Sequence, residues 1–170
     1  MVIVLGLDPG TANTGYGVVR RRDGRLAALD GGVIRTGAAE APERRLATIH
    51  ERVCALLDEH RPEALALEEI YFGANVRSAL AVGQARGAAL LAAGQRGIPC
   101  CSYTPQQVKG AVCGSGRADK QQVQRMVQAL LSLDEPPRPD HAADALAVAV
   151  CHAGFAPLRS ATARATAGAA

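Results

Sequence analysis

The opening stretch, MVIVLGLDPGTANTGYGVV, constrains the fold more than any other part of the chain. Val2–Leu7 is an unbroken apolar run of strand length, the mark of a strand buried on both faces. It stops on a carboxylate, Asp8, and a turn of small residues follows at once. A second strand spans Gly15–Arg21. Asp23-Gly24 is a hairpin signal, and Leu26–Thr36 returns as a third strand. Three strands in succession, joined by short turns, imply an antiparallel meander. A buried strand that ends on an acid also suggests where chemistry would sit, because ligands of open α/β sheets collect at the carboxyl ends of strands.

The period then changes. After Pro42, Leu46, Ile49, His50, Val53, Leu56 and Leu57 recur at helical spacing. Ala64–Leu67 is a short fourth strand that runs into Glu68-Glu69. Residues 76–95 form a long helix rich in Ala and Gly, which lets another backbone approach closely. Ile98–Tyr103 is a fifth strand. Pro105–Val112 is a short helix, GSGRAD a loop, and Lys120–Leu131 a helix. Pro139 and Asp140 stand where a helix begins, and the last helix covers His141–His152. The reading is a mixed five-stranded sheet flanked by helices, an α/β domain over residues 1–155. Residues 156–170 are expected to be a disordered tail. No repeat or interdomain linker interrupts the chain.

Composition narrows the function classes. At 170 residues, with 48% hydrophobic and 21% charged residues, the chain suits one globular domain. No apolar stretch approaches the roughly 20 residues needed to cross a membrane, and Met1 leads into a strand without a basic leader. A cytoplasmic protein without membrane association is expected. Cys54, Cys100, Cys101, Cys113 and Cys151 are odd in number and show no CxxC spacing, so they are expected to be reduced and mostly buried. A net charge of +3 mildly favours an anionic partner.

Carboxylates fall at three comparable places. Asp8 ends strand one, Glu68 ends strand four, and His141 and Asp144 share one face in the first turn of the last helix. If strands one and four pair in parallel, Asp8 and Glu68 become neighbours. Strand alternation lets only one of Glu68 and Glu69 join Asp8. Crowded carboxylates repel and need a cation. Oxygen-rich clusters suit Mg²⁺ or Mn²⁺, and an imidazole tilts the choice towards Mn²⁺. Two such ions can activate water and stabilise the leaving oxygen of a phosphodiester. Taken singly, each acid has a plainer reading: Asp8 as a turn residue, Asp140 as an N-cap, His141 and Asp144 as first-turn dipole partners. Their joint placement is what points to a site.

Three further features bear on the partner. Gly10, Thr11, Thr14, Gly15 and Gly17 would let backbone N–H groups approach a phosphate, although the motif matches neither a Walker loop nor GxGxxG and a tight hairpin is the default reading. Tyr71 and Phe72 follow directly after the Glu68-Glu69 pair, in a chain with only 3% aromatics; they could stack on bases or cap the edge of the core. Lys109, Arg117, Lys120 and Arg125 surround the glycine-rich loop, as phosphate contacts or as a solvated surface.

The segments LGLDPGTANTGYGVV, ALEEIYFGANVRSALAVGQARGA, YTPQQVKGAVCGSGRADKQQVQRMV and PDHAADALAVAVCHA resemble, in order, the motifs of the RuvC family of bacterial Holliday-junction resolvases. The resemblance runs from residue 1 to about residue 153. It implies a ribonuclease-H-like fold and a homodimer that makes paired, symmetric nicks in four-way junction DNA. It further implies two-metal hydrolysis leaving a 5′-phosphate and a 3′-hydroxyl, in recombination and repair, alongside a branch-migration helicase complex. Asp8, Glu68, His141 and Asp144 would be the metal-binding catalytic set, with Mg²⁺ or Mn²⁺ as the ions. Many family members carry Asp in place of His141, so the adjacent Asp140 competes for that role. Lys109 and Lys120 would contact the DNA backbone, and Tyr71 would lie at the junction centre with Phe72 beside it. The 76–95 helix is the candidate dimer interface, although Ala and Gly also serve plain helix–sheet packing. Three alternatives stay open: a junction-binding module without cleavage, a related nuclease acting on another nucleic acid, and a nucleotide-binding protein, since DPGTANTG also resembles the phosphate loop of actin-like ATPases.

Overall fold

The computed structural model describes residues 1–69 and 76–167, with side chains omitted at 76–77 and 155–167. Five strands make one sheet: β1 (Val2–Asp8), β2 (Asn13–Arg22), β3 (Arg25–Arg35), β4 (Ala64–Glu68) and β5 (Cys100–Tyr103). The order is β3-β2-β1-β4-β5. The meander is present: β1 and β3 both pair antiparallel with β2. Its tight turn has φ of 52° at Asp23 and 80° at Gly24, the two left-handed positions that a two-residue hairpin loop of this kind requires. β1 also pairs in parallel with β4, with Leu7 opposite Leu67, and β4 in parallel with β5.

The helices are α1 (Pro42–His60), α2 (Val76–Gly94), α3 (Pro105–Cys113), α4 (Lys120–Leu131) and α5 (Asp140–Ala167). Alternation along β1 divides the core. Leu5 and Leu7 face α1 and α2, whereas Val4 faces α3, α4 and α5. The helices α3 and α4 both open with a capping box, built on Thr104 and Gln107 and on Asp119 and Gln122. These boxes fix where Lys109 and Lys120 stand.

Several expectations need correcting. β5 starts at Cys100, not Ile98: the Ile98 N–H closes the end of α2 on the Ala93 carbonyl, and Pro99 has no N–H to give to a ladder. Cys151 is buried, but Cys100 is exposed and the other three cysteines are intermediate; Cys100 and Cys101 lie on β5, an edge strand. No disulfide joins any of the five. The alanine stripe of the 76–95 segment is used within the chain, since Ala85, Ala89, Ala92 and Ala93 are buried against α1 and the sheet. The outward face of α2 instead carries Leu80 and Leu91, 64% and 56% exposed.

The last helix does not stop at His152. Its backbone stays helical to Ala167, through an alanine-rich segment with high helix propensity. Pro157 lacks the N–H that would bond to the Ala153 carbonyl. The Arg21 guanidinium on β2 donates to that carbonyl instead, at 2.6 Å.

Candidate active site

Helix α5 brings the site together because the sheet beneath its first turns carries glycines where it lies closest. A Cβ on Gly15 would run into the His141 carbonyl oxygen, and one on Gly6 into that of Ala145. A Cβ on Gly17 would sit 2.7 Å from Leu146 Cγ. The first two turns of α5 therefore lie flush on β1 and β2. This corrects the reading of Gly15 and Gly17 as phosphate-loop residues: both are strand residues whose missing Cβ admits a helix. The turn after Asp8 is closed by Thr14, whose hydroxyl donates to the Gly10 carbonyl at 2.6 Å.

With α5 seated, four sequence-predicted residues share one sheet end. Asp8 ends β1 and Glu68 ends β4, one step beyond the Leu7–Leu67 pair. His141 Nδ1 lies 2.7 Å from Asp8 Oδ2. The carboxylate accepts, so Nδ1 is the ring's donor in this contact, and Nε2 is the ring nitrogen outside it. Asp140 is the first residue of α5 rather than its cap. The Pro139 carbonyl takes the first helical N–H bonds, and the Asp140 carboxylate turns away to Lys120, 2.9 Å from its Nζ. Of the two adjacent candidates, His141 is thus the one that faces Asp8. Glu69 is exposed, and its N–H is bonded to the Tyr103 carbonyl.

The electrostatics record the crowding. Burial first, then the negative charges of Asp8 and Asp144, push the Glu68 carboxyl up to about 7, and Lys109 only partly opposes this. Burial also raises the Asp144 carboxyl, and Asp8 and Asp140 add to it, whereas Lys120 pulls it back. Lys120 Nζ reaches Asp144 at 3.6 Å. Glu68, Asp144, Lys109 and Lys120 line one cleft of about 240 Å³ with Pro105, Val108 and Val123.

Three carboxylates and an imidazole are the hard, oxygen-rich donor set of Mg²⁺ or Mn²⁺, and the mutual repulsion on Glu68 is what a cation would relieve. As the side chains stand, His141 is turned onto Asp8, and Lys120 lies between Asp140 at 2.9 Å and Asp144 at 3.6 Å. Among the described residues, no three His, Cys, Asp or Glu side chains form a ready cage.

The predicted basic cluster divides. Lys109 and Lys120 border the acids. Arg117 and Arg125 line a neighbouring hollow with Cys113, Ser115 and Met126, because Lys120 and Arg125 are five residues apart and so lie on different faces of α4. Tyr71 and Phe72 lie outside the described residues. Sequence reasoning missed Arg86 on α2. Its guanidinium donates to the Glu68 carbonyl at 3.0 Å and to Ser102 Oγ at 2.5 Å, tying the ends of β4 and β5 to the helix. Nothing in its surroundings in the sequence distinguishes it from a surface arginine.

This strand order, with acids at the ends of neighbouring parallel strands and lysines across a cleft, defines a ribonuclease-H-like α/β domain. The family model for crossover junction endodeoxyribonuclease RuvC matches residues 4–152. A RuvC of that description from Moorella thermoacetica is 59% identical over 93% of this chain and 95% of its own. One from Pelotomaculum thermopropionicum is 52% identical over 89% and 93%. Among solved structures, T. thermophilus RuvC in complex with Holliday junction substrate superposes with a TM-score of 0.90 at 43% identity, covering 93% of this chain and 96% of that one. The chain belongs to the RuvC family of crossover junction endodeoxyribonucleases.

Proposed function

We propose that this protein is a metal-dependent endonuclease that resolves four-way DNA junctions by paired, symmetric nicks. The convergence of Asp8, Glu68, His141 and Asp144 beside Lys109 and Lys120 carries the reading. Family membership and the likeness to a RuvC bound to junction DNA support the choice of substrate. The nuclease domain spans residues 1–155 and acts in the cytoplasm; among the described residues no helix is long and apolar enough to cross a membrane.

Asp8, Glu68, Asp144 and the His141 imidazole would hold two divalent ions, Mg²⁺ or Mn²⁺, which supply Lewis acidity at the phosphodiester and lower the pKa of the attacking water. The chain's own residues do the rest. Asp8 fixes the His141 ring through Nδ1, leaving Nε2 as the donor atom, as a carboxylate-held histidine does in metal sites. Glu68, whose carboxyl burial and the charges of Asp8 and Asp144 push up to about 7, would favour its ionised form beside a cation. Lys120 and Lys109, which line the same cleft, neutralise charge that develops on the phosphate oxygens. In-line attack leaves a 5′-phosphate and a 3′-hydroxyl. Tyr71 and Phe72 hold unpaired bases at the junction centre, and Arg117 contacts the backbone of an arm.

Two strands must be cut in a substrate with two-fold symmetry, so a homodimer supplies matched sites. The exposed Leu80 and Leu91 on α2 fit that interface. A branch-migration helicase complex would deliver the junction. The test is nicking of a synthetic mobile four-way junction with Mg²⁺, Mn²⁺ or chelator, against linear duplex and an RNA–DNA hybrid, with Asp8→Asn as control. Paired, metal-dependent nicks in the junction alone, lost in the variant, are expected. Binding without cutting would leave a junction-binding module, and cutting of the hybrid would reassign the substrate.

A further inference from the structure

Lys120 has two carboxylate partners, and they differ in kind. It opens α4, and its ammonium lies between Asp140 and Asp144, one turn apart on α5. Asp144 belongs to the acid cluster around Glu68. Asp140 does not: it stands outside the cleft and its side chain is 64% exposed. Yet the contact to Asp140 is the shorter, 2.9 Å against 3.6 Å. Asp140 is itself held. Gln124, one turn along α4 from Lys120, donates from Nε2 to Asp140 Oδ1 at 3.1 Å, which leaves Oδ2 for the lysine.

An ammonium and a divalent ion compete for one carboxylate, because each neutralises the same charge and occupies the same side of it. We infer that Asp140, oriented by Gln124, is a positioning residue that draws Lys120 off Asp144 so that the acid cluster can take a cation, while keeping the ammonium beside the cleft. This rests on the reading of Asp144 as a cation ligand. Without Asp140, the lysine would have one partner, and metal entry would have to displace it fully.

The test measures metal binding alone, with the whole protein and no DNA. Mn²⁺ is titrated into wild type, Asp140→Asn, Lys120→Met and the double variant, and the free ion is followed by its electron paramagnetic resonance signal. Asp8→Asn is the control for the site. Asp140→Asn is expected to bind Mn²⁺ about two- to fivefold more weakly, the scale of an exposed ion pair, and Lys120→Met more tightly than wild type. The deciding arm is the double variant, which should bind as Lys120→Met does. Equal weakening by Asp140→Asn with and without Lys120 would mean that only the local charge matters, and would overturn the inference. So would unchanged binding in Asp140→Asn, or binding no tighter in Lys120→Met; in either case the cation site itself would stand. Wild-type binding no stronger than that of Asp8→Asn would remove the site and the inference together.

Discussion

Glu68→Gln should stabilise the metal-free protein, although it removes a residue placed at the heart of the site. Glu68 ionises at about 7 in the folded chain against an ordinary 4.5, chiefly because it is buried and then because Asp8 and Asp144 repel it. A raised acid takes up protons on folding, so its ionisation opposes the fold. The cost is absent below about pH 4.5, grows between about pH 4.5 and pH 7, and is complete above that. At about 1.4 kcal/mol per pH unit the full shift would be worth about 3 kcal/mol. The side chain keeps partial contact with solvent, which screens the repulsion, so about 1–2 kcal/mol is the working figure. In a chain of this size that is a rise in melting temperature of about 3–6 °C. The assay is thermal unfolding of wild type and variant in chelator at about pH 5 and about pH 8. Gln mimics the protonated acid, so the gap between the two proteins should be small at the lower pH, where little of the cost has developed, and several-fold larger at the higher. Excess Mg²⁺ or Mn²⁺ should shrink the gap, because only the wild type gains from binding. A gain of equal size at both pH values, or a loss at about pH 8, would refute the electrostatic account.

Other perturbations test the supporting structure. Gly15→Ala places a methyl group against the His141 carbonyl; the first turn of α5 must lift, costing about 1–3 kcal/mol in a melt and abolishing nicking while junction binding, followed by gel shift, persists. Arg86→Met removes both donors that tie Glu68 and Ser102 to α2; kcat should fall with junction affinity unchanged, and Arg86→Lys should restore only part, since one ammonium cannot reproduce the fork. Tyr103→Phe deletes the 2.8 Å bond between its hydroxyl and the buried His152 Nδ1; a loss of about 1–3 kcal/mol in denaturant unfolding is expected, without change in cleavage of the remaining folded protein.

Much of this was legible in the sequence where one residue type answers one local demand. Apolar runs bounded by turns marked all five strands. The period of two showed that only one of Glu68 and Glu69 can join Asp8, and the Leu7–Leu67 register picks Glu68. The interval of three residues along α5 was enough to put His141 and Asp144 on one side of the helix. What stayed hidden depends on distant partners. Gly15 and Gly17 carry the look of loop glycines, and only a helix more than a hundred residues away, lying directly on them, explains their missing side chains. Asp140 carries the ordinary signature of a cap, and only the position of α4 shows that its carboxylate is committed to Lys120. Arg86 acts through a backbone carbonyl, a partner that no side-chain pattern announces. The end of α5 was misplaced because its sequence loses its amphipathic period long before the backbone stops being helical.

The seating of α5 on bare glycines has a consequence for the order in which the molecule becomes competent. Synthesis delivers the meander first, and its pairings are local, so the central strand with Asp8 can form while most of the chain is unmade. Glu68 emerges next. The imidazole and the remaining carboxylate come only with the helix that starts at Asp140. A chain that ends before that point holds Asp8 and Glu68 on a sheet without His141, Asp144 or the Lys120 contacts to α5. On the proposed reading of the site, such a fragment would not cut a junction.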